Sequence, residues 1–373
     1  MALILKDVKT KADLKEFIYL PEKIHKGHVN WLPPIYMDEK KFFNQDKNLS
    51  FRGCDTKMVL AYKDDKVVGR IMGIIQHHHN KTFNLKNVRF SYIECYNDPV
   101  VLHSLINDIE LWGKHLGMNK IIGPFGFSDR DIQGLLIEGF DTEPVVDCAC
   151  NFGYLPELIE KEGFTKEMDC VIYRFLLTTQ LPEIYDKIYN RITSRKDLTF
   201  YEFKNRKSLK KFIVPALQLV NDSFAEIYGF VPMDELEMHE LAERYFPIID
   251  PRFVKMVTKG DEVVAFLVSL PNIYRGIQKS KGRLFPFGLL YILRALKTAK
   301  SVNTMLGGVN PKFQKQGLDG FLTLSTIKSA RTAGMTAVDT HVVMEDNSDM
   351  MNEFKRYGAK LHKRMRVFQK PIV

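Results

Sequence analysis

The order of apolar and polar positions divides the chain into short strands and longer helical stretches. In the second half, alternation predicts a strand over 198–203, and apolar residues at helical spacing predict a helix over 209–228. Strands follow at 263–270 and 305–309, then a helix at 318–333, a strand at 337–345, a helix at 349–357 and a strand at 364–369. The first half reads in the same coarse order: strand, long helical segment, two or three antiparallel strands, helix, strand, helix, strand. Such a mixed order, with mostly antiparallel strands and few helices, is an α+β arrangement. Periodicity breaks at Leu177-Thr178-Thr179-Gln180-Leu181-Pro182, which predicts two domains, 1–180 and 181–373.

The halves share landmarks at a nearly constant offset, the mark of an internal repeat. Leu14-Lys15-Glu16-Phe17 opens a helix-like stretch, and Leu209-Lys210-Lys211-Phe212 does so 195 residues later. The hairpin turn Asp64-Asp65-Lys66-Val67-Val68-Gly69 returns as Gly260-Asp261-Glu262-Val263-Val264-Ala265, at an offset of 196. Asn151 opens a helix ending at Gly163-Phe164, and Asn347 opens one ending at Gly358-Ala359, at offsets of 196 and 195. One match would be noise, but four in register predict two copies of one scaffold. Gly117-Met118 and Gly334-Met335 slip to 217, so the second copy holds an insertion, assigned to 272–300. The first copy regains register through an extra segment at 123–147.

A chain of 373 residues fits two domains, and 45% hydrophobic with 27% charged residues excludes disordered and collagen-like classes. No apolar run approaches the ~20 residues needed to span a bilayer. The charges Lys6 and Asp7 come too early for a secretory signal. The cysteines Cys54, Cys95, Cys148, Cys150 and Cys170 show no C-x-x-C spacing, so a cytoplasmic location is expected. The net charge of +9 is uneven: 1–180 holds 23 Lys+Arg against 25 Asp+Glu (−2), and 181–373 holds 31 against 20 (+11). The second half is therefore expected to meet something acidic, or else to carry a plain solvated basic surface. No nucleic-acid motif is present, which leaves a phosphorylated cofactor, an acidic carrier protein or an anionic membrane surface.

Leu306-Gly307-Gly308-Val309-Asn310-Pro311-Lys312-Phe313-Gln314-Lys315-Gln316-Gly317-Leu318-Asp319-Gly320 runs from a strand through a loop into a helix. Such a turn aims free backbone N–H groups and the positive helix end at one point, which suits a pyrophosphate; an ordinary β–α loop is the alternative. It resembles the pyrophosphate motif R/Q-x-x-G-x-G/A of the acyl-CoA N-acyltransferase (GNAT) superfamily, with Gln314 and Gly317 at the first two fixed positions. The third position holds Asp319, with Gly320 beside it. Glu345-Asp346-Asn347, followed by Phe354 and Gly358, resembles the family's strand-to-helix segment of Asn, Tyr and Gly at the same spacing. With Asn30-Trp31-Leu32-Pro33-Pro34 and Gly229-Phe230-Val231-Pro232-Met233, the chain looks like a bacterial tandem-GNAT group akin to long-chain N-acyl amino acid synthases.

The resemblance implies two tandem GNAT-like domains, each a mixed, mostly antiparallel sheet flanked by helices. It implies an acyl-thioester site at Val309, Gln314, Lys315, Gln316, Gly317, Gly320 and Asn347. The donor would be acetyl-CoA, a longer acyl-CoA or the phosphopantetheine of an acyl-carrier protein, with no metal and no nucleic acid, and the acceptor a small primary amine. In many members the Tyr protonates the departing thiolate; Phe354 cannot, and Tyr357 stands three residues on. Asp339, His341, Val343 and Glu345 alternate onto one face of strand 337–345, which makes His341 and Glu345 the candidates for proton transfer. Tyr228 reads as a core aromatic. The first copy offers Ile93-Glu94-Cys95-Tyr96-Asn97-Asp98-Pro99-Val100 where the phosphate loop is expected, so it reads as degenerate. Asp319 and Phe354 favour the alternative of a non-catalytic GNAT-fold protein that binds an acyl-carrier or another partner.

Two other signals carry less. His77-His78-His79 lacks the i, i+2 geometry of a chelate, and Cys148-Ala149-Cys150 sits in an apolar, core-like stretch. Over 285–300, Leu289, Leu290, Leu293 and Leu296 form one helical face, and Arg294, Lys297 and Lys300 another. That segment either packs as an insertion helix or contacts a membrane surface or acyl chain.

Overall fold

The computed structural model describes residues 2–225 and 227–373. It begins with β1 (Leu3–Asp7) and α1 (Lys11–Ile24), whose start is fixed by a capping box between Thr10 and Asp13. After α2 (Tyr36–Phe42) come the hairpin β2 (Cys54–Lys63) and β3 (Lys66–Gln76), α3 (His77–Thr82) and β4 (Asn87–Cys95). Next are α4 (Pro99–His115), β5 (Lys120–Gly123), β6 (Leu135–Glu138), α5 (Tyr154–Lys161) and β7 (Thr165–Leu176). The second round opens with α6 (Ile184–Thr193), β8 (Thr199–Glu202), α7 (Ile213–Phe224) and α8 (Glu235–Tyr245). A second hairpin, β9 (Val254–Lys259) and β10 (Glu262–Pro271), is followed by α9 (Tyr274–Ser280), α10 (Gly288–Thr298) and β11 (Ser301–Val309). Then come α11 (Leu318–Thr332), β12 (Ala337–Asp339), β13 (Val343–Met344), α12 (Ser348–Arg356) and β14 (Lys360–Pro371).

The two hairpin turns that mark the repeat form as expected. Asp64 and Asp65 take φ of 50° and 59°, and Gly260 takes 59°, the left-handed conformation that tight hairpins require. Helix 209–228 starts later than its apolar spacing suggests. A 3₁₀ stretch spans Arg206–Phe212, and α7 begins at Ile213, which places Pro215 in the first turn where a missing N–H costs nothing.

Two compact units form. The first gathers Met1–Val171, Tyr274–Leu293 and Lys363–Val373; the second gathers Ile172–Ile273 and Arg294–His362. In the first, the strand order is β1-β2-β3-β4-β5-β14, with β6 also on β14. In the second it is β7-β12-β11-β10-β9-β8. Pairing is antiparallel throughout these two orders except β4 with β5 and β11 with β12, so both units carry one parallel pair at the same place. Each unit thus has the α+β arrangement, with mixed, mostly antiparallel strand pairing. The units are not the continuous stretches 1–180 and 181–373. The sixth strand of the first is the end of β14, where Phe368 pairs with Gly123, and that of the second is the end of β7, where Leu176 pairs with Ala337.

In the first unit α4 lays Leu102, Leu105 and Ile109 on the β3 face bearing Ile71 and Ile75, and α1 lays Phe17 and Leu20 on the face bearing Met72 and Ile74. Gly69 and Gly73 let α4 approach: a Cβ on Gly69 would stand 2.8 Å from both Leu105 Cδ1 and Val101 Cγ1. In the second unit α7 packs with Met256 and Phe266, and α11 lays Leu318, Phe321 and Leu322 against Val257, Ala265 and Leu267. Gly69→Val should overpack the α4–β3 contact and cost about 1–3 kcal/mol. Urea denaturation checks this, and an unchanged midpoint would contradict it.

Candidate functional site

The strand β11 ends at Val309, whose carbonyl accepts from Ser223 Oγ at 3.3 Å and Gln314 Nε2 at 3.5 Å. Asn310 then donates its amide to the Val264 carbonyl, and Pro311–Phe313 makes one tight turn. Lys315 (φ 60°) and Gly317 (φ 88°) are both left-handed, and α11 starts with no side chain bonded to its first amides. Those N–H groups, at the positive end of the helix, remain available to an anion.

Cations gather around this start. The Arg191 guanidinium on α6 lies 3.5 Å from where a Cβ on Gly317 would stand. Among the described residues, Arg191, Lys312 and Lys315 have no acidic partner. Gln316 is held from both sides: Arg195 Nη1 donates to its Oε1 at 2.9 Å, and its Nε2 donates to the Lys312 carbonyl at 2.9 Å. Asp319 is exposed in the first turn, where a carboxylate suits the helix dipole. The corresponding helix start in the first unit is different. There the Asp98 carboxylate accepts from the Val100 and Val101 amides at 3.0 and 3.4 Å and pairs with Lys63 at 3.0 Å. That hydrogen bond from Lys63, ahead of an opposing effect of burial, holds the Asp98 pKa below its ordinary value.

The parallel strands β11 and β12 share three residue pairs, Ser301–Ala337, Val302–Val338 and Asn303–Asp339. At the last pair, Asp339 is fully buried and bound by Arg174 through two hydrogen bonds of 2.6 and 2.9 Å. Asn303 is buried beside it with Oδ1 lacking a partner, and Ser269 Oγ is buried without one too. Orphaned polar atoms of this kind cost about 1–3 kcal/mol each when left unmade.

The expected strand 337–345 is broken. Thr340 donates its amide to the Tyr173 carbonyl at 2.8 Å, but the Tyr173 amide returns to Thr340 Oγ1 at 2.9 Å instead of to a backbone carbonyl. The ladder is interrupted there and resumes where β13 pairs with β7, so His341 lies in the break and Glu345 in the turn before α12, not on one continuous strand. His341 is half-buried, and burial lowers its pKa to about 4, so the ring is neutral at pH 7. Asn347 caps α12, accepting from the Met350 amide at 3.2 Å. Phe354 is buried with its ring 5.4 Å from that of Tyr173. Tyr357 is buried as well, stacked on Tyr185 at 4.6 Å, with its hydroxyl 3.7 Å from where a Cβ on Gly320 would stand. Burial first, then Glu353, pushes its pKa far above the phenol range. The structure therefore brings Tyr357 to Gly320, and Gln314 to Val309, but not His341 to the face of Glu345.

Sequence reasoning missed Arg191, and it missed a polar array in the first unit. His25 Nε2 lies 3.2 and 3.1 Å from the two Glu94 oxygens, and His25 Nδ1 lies 3.1 Å from His28 Nδ1. With His25 charged beside Glu94, both of its ring N–H groups donate, Nε2 to the carboxylate and Nδ1 to the neutral His28 Nδ1. Trp31 and Phe152 stack on the two rings at 4.2–5.1 Å. Burial works to raise the Glu94 pKa, but the charge and hydrogen bond of His25, then Arg70, leave it lowered. The one sequence signal was Glu94 standing where a phosphate loop was expected.

No family model matches the chain. It is 29% identical over 378 residues to the bacterial ceramide synthase of Caulobacter vibrioides (strain NA1000 / CB15N), covering 98% of this chain and 96% of that protein. It is 27% identical over 378 residues to Protein YghO of Escherichia coli (strain K12), covering 97% and 94%. Among solved structures, a tandem GNAT protein from the clavulanic acid biosynthesis pathway aligns with a TM-score of 0.57 at 9% identity, over 100% of this chain and 99% of that one. The chain thus carries the GNAT acyltransferase fold, in tandem.

Three histidines set an acid limit on stability. Burial, followed by the charge of His25, lowers the pKa of His28 to about 4; burial, followed by Arg89, does the same to His79 in α3; and burial alone does so to His341. Each folded value lies below the unfolded value of about 6.5, so the unfolded chain binds more protons between the two. Stability should be fully present above about pH 6.5 and decline towards pH 4. His79→Gln should flatten the fall of melting temperature across that window. Superimposable profiles for variant and wild type would contradict this.

Proposed function

We propose that the protein is an N-acyltransferase that moves an acyl group from acyl-CoA, or from the phosphopantetheine of an acyl-carrier protein, to a primary amine. The observation that carries this reading is the start of α11: a left-handed Gly317, open first-turn amides, and Arg191, Lys312 and Lys315 without acidic partners. Anion binding at a helix N-terminus needs these parts. The buried Asn303 Oδ1 at the last β11–β12 pair adds an acceptor for an amide of the pantetheine arm. A ceramide synthase is named among the relatives, and ceramide is an N-acylated long-chain amine, which supports amide formation on a primary amine.

The thioester supplies an activated acyl group. In the proposed reaction the amine nitrogen bonds to the carbonyl carbon, the C–S bond breaks, one ammonium proton leaves and the thiolate gains a proton. Gln314, Lys315, Gln316, Gly317 and Gly320 hold the diphosphate end, and the backbone at Val309 meets the acyl carbonyl. His341, neutral at pH 7, is in the form that accepts a proton. Tyr357 stays protonated at any working pH and is the side-chain donor in this reading. The exposed Asp319 and the buried Phe354 favour a second reading, in which the fold binds a thioester carrier without turnover. Thiol release from acyl-CoA in the presence of an amine panel separates the two.

Gly317→Val puts a branched residue at φ 88°, a conformation costing about 1–3 kcal/mol for such side chains. Calorimetry should show acyl-CoA affinity falling at least about tenfold; equal affinity would remove the α11 start from the site. Tyr357→Phe preserves the stack on Tyr185. It should lower kcat at least about tenfold with little change in thioester affinity. A wild-type rate would leave water as the proton source and Tyr357 as a packing residue.

A further inference from the structure

The insertion between β10 and β11 presents apolar side chains that the fold does not use. Phe285, Phe287, Leu289, Leu290 and Leu293 are between 45% and 73% exposed within nine residues of chain. Single exposed leucines are ordinary, but a contiguous set of this kind marks an interaction surface. The inward side of α10 is Gly288, Ile292 and Ala295, so the helix already spends its core face, and the exposed set is a second, outward one.

The segment is held firmly behind that outward face. The Tyr36 amide donates to the Gly282 carbonyl at 3.0 Å, and Gln278 Nε2 donates to the Val29 and Trp31 carbonyls at 2.8 and 3.0 Å. Arg283 makes a two-pronged ion pair with Glu22 at 2.8 and 2.9 Å. A Cβ on Gly288 would stand 1.7 Å from the Arg283 carbonyl, so the turn into α10 closes on itself. Exposure here belongs to an anchored platform.

Charge identifies the occupant. Between Glu262 and Asp319 the chain has no acidic residue, and 274–300 alone holds seven Lys and Arg. Arg275 and Arg283 are paired with Glu143 and Glu22, but Lys279 and Lys281 precede the apolar group and Arg294 and Lys297 follow on the same helix, all exposed. Aromatic and leucine side chains flanked on both sides by exposed cations match an interface whose interior is hydrocarbon and whose edge is anionic. Among the described residues, no helix is long and apolar enough to cross a membrane, so the contact would be on the surface.

We propose that Phe285 and Phe287 with the outward leucines of α10 seat this protein on an anionic lipid surface, the flanking Lys and Arg engaging the headgroups. This holds whether or not the protein transfers acyl groups. In flotation assays the full chain should bind phosphatidylglycerol–phosphatidylcholine vesicles and should bind phosphatidylcholine vesicles at least about tenfold less. The paired change Phe285→Ser and Leu290→Ser, both at exposed positions, should weaken binding at least about tenfold without altering the melting temperature. Lys281→Gln with Lys297→Gln should weaken binding and reduce its salt dependence. A Phe287→Trp variant should shift its emission to the blue on vesicle addition. Absence of vesicle binding, or binding that the serine pair leaves intact, would overturn the proposal. So would a self-associated species that the serine pair dissolves, or capture of an acidic acyl-carrier protein in place of vesicles.

Discussion

Three residue pairs hold β11 beside β12, and after Asn303–Asp339 the backbone ladder ends, with Thr304 Oγ1 donating to the Asp339 carbonyl at 3.2 Å. That limit on one parallel ladder governs the rest of the second unit. Because pairing stops, β11 can run on to Val309 alongside β10 alone, and its far end can deliver the loop 310–317 to the start of α11. Because it stops at Asp339, a buried carboxylate and a buried amide lie where the strands part; Arg174 satisfies the first, and the Asn303 Oδ1 has no partner. The same limit recurs in the first unit, where β4 and β5 share only Asn87–Lys120, Val88–Ile121 and Arg89–Ile122.

The two units then diverge through electrostatics on a common backbone plan. Where α11 leaves its first amides open beside unpaired cations, α4 fills its own with Asp98 and neutralises that carboxylate with Lys63. An incoming phosphate would meet attraction at one helix and a resident carboxylate at the other. At the end of β4 the first unit instead places Glu94 against His25, a pairing that commits the carboxylate to orienting an imidazole. Both arrangements satisfy the positive end of a helix or the edge of a sheet, yet they recognise different chemistry.

Much of the fold was legible because its signals are local or repeat. Hairpin turns with left-handed Asp and Gly, the capped helix starts and the offset landmarks each declare themselves within a few residues. The Gln314–Gly317 loop was legible for the same reason. What failed depended on a partner remote in sequence. The face assigned to His341 and Glu345 assumed an unbroken strand, and Thr340 interrupts it by answering Tyr173 with a hydroxyl before β13 rejoins β7. Arg191 lies against Gly317 from another helix, and His25 meets Glu94 across 69 residues, distances over which residue spacing says nothing. The exchange of closing strands was invisible too, since either copy of the last strand carries a pattern that suits either sheet.

That exchange bears on how the molecule comes into being. A polypeptide is synthesised from its N-terminus, and domains tend to fold as they emerge. The first unit cannot do so fully, because the strand that covers β5 lies at 360–371. Until those residues are made, Lys120–Gly123 presents an unpaired backbone edge, the kind of surface that recruits other chains. The sequence separation between β5 and its partner also places the final closure among the slow, non-local steps of folding. A nascent chain stalled before residue 363 would therefore be an aggregation hazard even with every residue of its first 171 in place.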